Sequence, residues 1–216
     1  MDRRDVLKQR RQEQVREEIL DAARRVLLSQ GLGGLTLTAV ARELELTKAA
    51  LYHYFASKEA LVSELIYLSL ETHAEAVGDA VASTASGAAA LEALIRTAAQ
   101  HYGTRRDELR LAYLIPQVGT AAATRFGPDM LARIRPFNDR MYGAVAAKIG
   151  QDQQAGRVAQ ALDGRRLAFL AHTSVLGMLT VEGLVETADE VPLIHAHDAM
   201  VDELVRTFTA RLSVSD

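Results

Sequence analysis

The chain has 216 residues, a length that suits one large domain or a medium-sized domain with a small one attached. Hydrophobic residues make up 49% of it, too many for a disordered chain, and the absence of cysteine excludes disulfide scaffolds, thiol nucleophiles and zinc sites with cysteine ligands. The net charge is −3, but it is unevenly distributed: the first 58 residues hold 11 Lys and Arg against 8 Asp and Glu, and the rest hold 14 against 20. This asymmetry favours a small anion-binding module joined to an acidic body, and the alternative is a solvated tail of mixed charge.

The composition predicts an all-α fold of about nine helices. Alanine, the best helix former, is abundant, aromatic residues make up only 5%, and none of the four prolines lies in the first 115 residues. The start of the sequence leads into no apolar stretch, and no run of about 18 apolar residues occurs, so we expect neither a secretory signal nor a membrane partner. The expected location is the cytoplasm.

The first four helices are predicted from apolar spacing and capping residues. Val15, Ile19 and Val26 lie at amphipathic spacing in a first helix that should end at Gly31. Threonine and serine hydroxyls can cap helix N-termini. They predict a second helix from Thr36, a third from Thr47 through Tyr54, and a fourth from Ser57 to about Val81.

The rest of the chain is predicted to be helical with several breaks. Thr104 and Asp107 have the spacing of a capping box, Pro136 is expected to kink a helix, and Gln151 to Gly156 is expected to be a polar loop. Residues 117–127 are ambiguous. The predicted helices cover about 88–102, 104–116, 128–149, 163–186 and 195–212.

The segment from Leu37 to Phe55 has the spacing of a helix-turn-helix. Ala41 is small enough for two helices to cross closely, and Leu46 and Leu51 are expected to plug the space beneath the turn. The second helix of this motif, which is the third helix of the chain, has only seven residues and is too short to be stable alone. It is therefore expected to be a reading helix held on a scaffold. Its exposed residues should be Thr47, Lys48, Ala49, Tyr52 and His53.

Residues Thr36 through Leu61 resemble the DNA-binding domain of TetR-type transcriptional regulators. The matching features are the threonine before helix two, the alanine inside it, the Leu51-Tyr52-His53-Tyr54-Phe55 run and the Lys58-Glu59 pair. The resemblance implies a ligand-responsive repressor that binds a double-stranded DNA operator as a homodimer, with a DNA-binding domain at 1–56 and a ligand-binding and dimerisation domain at 57–216. A ligand-independent architectural DNA binder and a helical enzyme on a similar scaffold are the alternatives.

The sequence departs from the family pattern at two places. Glu45 occupies the turn position where the family usually has glycine, so a positive φ there would cost roughly 1 kcal/mol. Ala49-Ala50 stands where glycine-threonine is common, which offers methyl groups to thymine in place of a hydroxyl. The operator sequence therefore cannot be transferred by analogy.

The predicted DNA-contacting residues lie on and around the reading helix. Lys58 at a helix N-terminus opposes the helix dipole, which makes sense if a phosphate lies over the same N-terminus. Phe55 and Tyr54 are expected to pack against helices one and four instead. The predicted DNA contacts are Thr36, Thr47, Lys48, Ala49, Tyr52, His53 and Lys58.

A small-molecule effector site is predicted in the second domain, where bulky side chains interrupt alanine-rich helices. Core packing is the alternative for each of them. The predicted lining is Tyr102, Tyr113, Phe126, Phe137, Met141 and His172. A fatty acyl compound, an aromatic, an antibiotic or a dye would all suit it.

The six histidines have no metal-chelating spacing, and neither a glycine-rich phosphate loop nor a GxSxG elbow occurs. We therefore expect no metal, no cofactor and no enzymatic activity. Dimerisation is expected through apolar stripes on the last two helices. Those stripes comprise Leu167, Leu170, Ala171, Ser174, Met178, Val181 and Val185 on one helix and Val201, Leu204, Val205, Phe208 and Leu212 on the other. Helix four is expected to link the effector site to the reading helix.

Overall fold

A computed structural model describes residues 2–114, 128–183 and 196–212. Within those ranges the chain forms nine continuous helical rods and no strand, which confirms the all-α prediction. Three rods end in or contain short π- or 3₁₀-helical segments, at Arg110–Leu114, Asp139–Gly143 and Ala210–Leu212. The α-helices are α1 Arg3–Gly34, α2 Leu37–Glu43, α3 Lys48–Tyr54, α4 Lys58–Ala82, α5 Gly87–Thr104, α6 Arg106–Leu109, α7 Pro128–Asn138, α8 Ala144–Gln154, α9 Gly164–Glu182 and α10 His197–Thr209.

The chain divides into two compact units, and it passes from one to the other within α4. The first unit holds residues 2–68, and the second holds 69–113 with the described residues from 128 onward. The functional division predicted at residue 56 stays a prediction. None of the described helices has the length and apolar character needed to cross a membrane.

The first unit is built around a core shared by α1, α2, α3 and the start of α4. The regular part of α1 stops at Gly31, whose φ of +67° is a conformation that glycine adopts without strain. The predicted end of the first helix is therefore confirmed, with a short turn following it. The fully buried apolar side chains are Ile19, Ala22, Ala23, Leu35, Val40, Leu51 and Leu61.

The second unit packs α5 against α8, α9 and α10. The backbone of α5 approaches α8 closely at Gly87, the first residue of α5, where a Cβ would stand 2.7 Å from Cγ1 of Ile149 and 2.9 Å from its Cα. The buried Asp152 carboxylate accepts a 2.7 Å hydrogen bond from the Gly87 N–H and pairs with Arg157. A side chain of α8 thus caps α5 across the core.

Two local predictions are wrong. The Thr104 hydroxyl donates to the carbonyl of Gln100 at 3.0 Å and does not cap α6, because α5 continues through Thr104 itself. Residues Gln151 to Gln154 are helical, because Asp152 faces the core and continues the buried face of α8. The ambiguous segment 117–127 lies outside the described residues, as do the predicted helical ends at 184–186 and 195.

Candidate nucleic-acid interface and buried polar cluster

Both short helices of the helix-turn-helix begin at the threonines that the sequence indicates. The Ala39 N–H donates to Oγ1 of Thr36 at 3.0 Å, and the Ala50 N–H donates to Oγ1 of Thr47 at 3.2 Å. Leu51 is completely buried beneath α3. These caps and this plug fix the start and the rotation of the reading helix, as predicted.

The turn between α2 and α3 is closed by its backbone. Glu45 has a φ of +55°, in the left-handed region where the family usually has glycine, so the expected strain is present. The Leu46 N–H then donates to the carbonyl of Ala41 at 2.8 Å. The Leu46 side chain is 38% exposed, so the prediction that it plugs the turn is wrong, and Val40 and Leu51 fill that space instead.

The outer face of α3 is exposed along its length, which leaves it accessible to a nucleic acid. Thr47, Lys48, Ala49, Tyr52 and His53 are all exposed. The Lys48 ammonium lies 5.6 Å from the centre of the Tyr52 ring, a cation–π distance. The two residues therefore present one combined surface, a positive charge beside a flat ring.

Phe55, directly after the reading helix, anchors it to the scaffold. Its ring is 3% exposed, and the Arg16 guanidinium of α1 lies 5.1 Å from the ring centre. Arg16 also pairs with Glu64 of α4 at 3.3 Å. Phe55 thus packs between α1 and α4, as predicted, and Tyr54 is partly buried beside it.

The first turn of α4 contains a carboxylate of the chain itself, that of Glu59. Ser57 accepts a 3.2 Å hydrogen bond from the Ala60 N–H, and hydrogen bonds from its own backbone N–H and from Ser57 lower the pKa of Glu59. Lys58 beside it is partly buried, and Thr36, at the start of α2, is exposed. A phosphate contact at Lys58 stays a prediction.

The second unit contains a hydrogen-bonded chain of buried rings that sequence reasoning missed. Nε2 of His73 lies 2.9 Å from Nε2 of His172, and Nδ1 of His172 lies 2.7 Å from the Tyr142 hydroxyl. His73 lies in α4, His172 lies in α9, and Tyr142 lies in the π-helical segment Asp139–Gly143. Their separations of 99 and 30 residues carry no local pattern, which is why the histidines look isolated in sequence.

His73 also belongs to a second group of packed rings, which we call the polar triangle: His73, His101 and Tyr102. Their centroids are 4.5, 4.8 and 5.0 Å apart. Each ring is at most 5% exposed, and each carries a buried polar atom without a hydrogen-bond partner among the described residues. The atoms are Nδ1 of His73, Nε2 of His101 and the Tyr102 hydroxyl.

Burial keeps His73, His172 and the neighbouring tyrosines Tyr102 and Tyr113 uncharged near neutral pH. It lowers the pKa of His73 well below its ordinary value, with His172 and His101 adding to the effect, and it lowers the pKa of His172 to about 4. Burial also raises the pKa of Tyr102 well above its ordinary range and that of Tyr113 to about 12. The Tyr113 hydroxyl contributes to the Tyr102 shift, although the two hydroxyls lie outside hydrogen-bonding geometry.

Three of the predicted effector-site residues come together around this cluster. Tyr113 meets Tyr102 edge-on at 5.7 Å and lies 6.2 Å from His172. Met141 is buried in the neighbouring core, and Phe137 is partly buried against it, so they are core residues as well as candidates. Phe126 lies outside the described residues. Across the ranges that the structure describes, no group of three or more His, Asp or Glu could hold a metal ion.

Comparison with known proteins points to regulators of transcription. Residues 19–65 match the family model for bacterial regulatory proteins of the tetR family. An HTH-type transcriptional regulator of Mycobacterium tuberculosis is 39% identical over 54 residues, which are 25% of this chain and only 23% of that relative.

Two solved structures share the fold over almost the whole chain. A tetR-family regulatory protein from Rhodococcus RHA1 has a TM-score of 0.67 at 14% identity, covering 93% of this chain and 98% of its own. The transcriptional regulator FadR from Bacillus subtilis, in complex with stearoyl-CoA, also has a TM-score of 0.67 at 14% identity, covering 90% and 98%. The resemblance seen in the sequence is thereby confirmed for the N-terminal helix-turn-helix, which matches the tetR family of bacterial regulatory proteins over residues 19–65, and the fold is shared with solved structures over almost the whole chain.

Proposed function

We propose that this transcriptional regulator is a repressor that binds an inverted-repeat operator as a homodimer and is released from it by a small molecule. The observation that carries the DNA-binding part is the outer face of α3, where five polar or small residues are exposed while Leu51 beneath them is completely buried. A helix held in this way can enter a major groove without rearranging the scaffold. The two neighbours in fold described above are regulators of transcription, which supports this function over an enzymatic one.

The basic distribution of the first unit supports a phosphate partner. The exposed N-terminal turns of α1 carry Arg3, Arg4, Lys8, Arg10 and Arg11. Contacts of these side chains and of Lys58 with phosphates would release counterions, so binding should weaken steeply with salt. Base readout would come from Lys48 and Tyr52, which are exposed on α3 and lie beside each other.

Dimerisation would use the exposed face of α9. Phe169, Leu170 and Val181 are about half exposed in the isolated chain, at 50%, 49% and 52%, and Gly177 between them has open space around it. A contiguous apolar face of this kind is typical of a protein interface. Val201, Val205 and Leu212 of the predicted stripes are instead buried in the core of the same chain.

Release by a small molecule is supported by two observations. The FadR structure that shares this fold binds stearoyl-CoA, and the second unit of this chain buries a polar cluster with unsatisfied atoms. Because α4 contributes residues to both units, a ligand that shifted it would act on the reading helix that precedes it. We place this regulation in the cytoplasm.

The DNA-binding part is tested by selecting bound duplexes from a random pool and measuring their affinities by fluorescence anisotropy. The selected sites should be inverted repeats with half-sites about 10 base pairs apart or a multiple of that spacing. Lys48→Ala and Tyr52→Ala should relax sequence preference, with a loss of about 1–3 kcal/mol for the selected site. Lys58→Ala should weaken all sequences alike, and Arg206→Ala in α10 removes the same charge from the second unit as a matched control.

A selected site without two-fold symmetry would refute the dimeric readout. Equal losses of specific and non-specific affinity in Lys48→Ala and Tyr52→Ala would show that α3 is not the reader. The ligand-responsive part requires that a compound found by thermal shift weakens operator binding, typically 5–150-fold, and that operator DNA weakens compound binding by the same factor. A tight compound that leaves operator affinity unchanged would refute it.

A further inference from the structure

We infer that the polar triangle is the recognition end of the effector site and that it holds an uncharged effector through a hydroxyl or carbonyl group on an apolar skeleton. This inference rests on the proposed ligand-responsive function and specifies its chemistry. It starts from the three unsatisfied atoms, on His73, His101 and Tyr102. Folded proteins leave few buried polar atoms unpaired, and each exception requires an explanation.

The clustering of the three rings that carry these atoms points to one shared partner. The rings that carry them lie within 5.0 Å of one another, centroid to centroid, and come from the two adjacent helices α4 and α5. One small polar group placed among them could satisfy more than one of the three. Ring faces of the same residues and of Tyr113 would cover the apolar part of the molecule.

The groups that face the triangle disfavour a charged ligand. The imidazoles of His73 and His172 are neutral, for the reason given above, and supply no cation for an acid. His101 itself faces one charge of each sign, because Nε2, its atom without a hydrogen bond, lies 3.5 Å from Oε2 of Glu108, and Nδ1 lies 3.3 Å from Nη1 of Arg105. A carboxylate or phosphate would thus lose its hydration beside an existing carboxylate without a net positive partner.

The hydrogen-bonded chain explains why either a hydroxyl or a carbonyl would fit. If Tyr142 donates to Nδ1 of His172, then His172 donates to Nε2 of His73, and Nδ1 of His73 carries a proton that can be donated to a carbonyl. If these hydrogen bonds run in the opposite direction, Nε2 of His73 donates to His172, and Nδ1 of His73 is an acceptor for a hydroxyl. The Tyr102 hydroxyl can act as donor or acceptor in both cases.

Three naphthalene probes test the inference, because the chain has no tryptophan to interfere with their fluorescence. The probes are 2-naphthol, which is uncharged at pH 7, the anion 2-naphthoate, and naphthalene, which has no polar group. Fluorescence titration of the full chain should show 2-naphthol binding at least about tenfold tighter than either of the others. Equal or tighter binding of 2-naphthoate, or no binding of any probe, would overturn the inference.

Two variants locate the site. Tyr102→Phe removes one unsatisfied atom and should weaken 2-naphthol binding about tenfold while leaving naphthalene binding unchanged. Tyr54→Phe makes the same chemical change in the first unit and should bind all three probes like the wild type. An unchanged affinity of Tyr102→Phe for 2-naphthol would place the site elsewhere and overturn the inference.

Thermal unfolding of the unliganded protein supplies a readout that does not depend on any probe. If the Tyr102 hydroxyl lacks a partner without effector, Tyr102→Phe should raise Tm, because removing an unsatisfied buried group stabilises the fold. A lowered Tm would show that the hydroxyl is already satisfied in the unliganded protein, which overturns the inference.

Operator binding separates this inference from the function it rests on. Failure of the wild type to bind any selected operator refutes the proposed function whatever the probes do. Intact, effector-sensitive operator binding together with a preference for 2-naphthoate refutes only the chemistry assigned to the polar triangle.

Discussion

Replacing Asp152 with alanine should destabilise the second unit by about 2–4 kcal/mol. The Asp152 side chain lies in the core and accepts a 2.7 Å hydrogen bond from the Gly87 N–H at the start of α5. A hydrogen bond to a charged group contributes about 1.5–3 kcal/mol, and its loss leaves that buried N–H without its partner. Arg157 is 60% exposed, so its ion pair with Asp152 adds no more than about 1 kcal/mol.

Urea unfolding followed by circular dichroism measures the effect, together with a fall in Tm of roughly 5–12 °C. Asp152→Asn keeps an oxygen acceptor but loses the charge, so it should cost less than the alanine variant. Asp79→Ala is the matched control, because Asp79 is 76% exposed and makes a surface ion pair with Arg140, whose loss should cost at most about 1 kcal/mol.

The pH dependence gives a second check on Asp152. The Gly87 N–H and then Arg157 lower the pKa of Asp152 in the folded chain, so the stabilisation is present above the ordinary aspartate pKa and is lost as pH falls through the lowered value. The gap between wild type and Asp152→Ala should therefore narrow in acid. Equal stability of Asp152→Ala and Asp79→Ala at neutral pH would refute the idea that Asp152 caps α5.

Three further predictions concern protonation, strain and assembly. Between about pH 6.5 and pH 4 the unfolded chain takes up a proton that buried His172 does not, so stability should fall by about 1.4 kcal/mol per pH unit for this histidine, and the lowered pKa of His73 acts in the same direction. An unchanged slope in His172→Asn would contradict this. Glu45→Gly should raise the unfolding free energy by roughly 0.5–1 kcal/mol because φ is +55°, whereas Glu45→Ala should not. Leu170→Asp should give a monomer in sedimentation velocity where wild type is a dimer, and a wild-type monomer at micromolar concentration would refute the α9 interface.

Local interactions explain how much of the first unit could be predicted from the sequence. The caps at Thr36 and Thr47 join atoms only three residues apart, so a single hydroxyl at the right position is enough to predict each helix start. The positive φ of Glu45 follows from the same short segment. The prediction for Leu46 is wrong because apolar character leads to burial only when the backbone turns the side chain inward, and here a backbone hydrogen bond closes the turn while the side chain stays exposed.

The sequence by itself determined the helical class, the helix starts and the exposed face of α3, because each depends on residues within one or two turns of one another. Tertiary structure alone decided the rest. The His73–His172 contact joins residues 99 positions apart, and the Gly87–Asp152 cap joins residues 65 positions apart. Neither leaves a periodic signal, since a buried imidazole or carboxylate is acceptable only once a partner from another helix is in place.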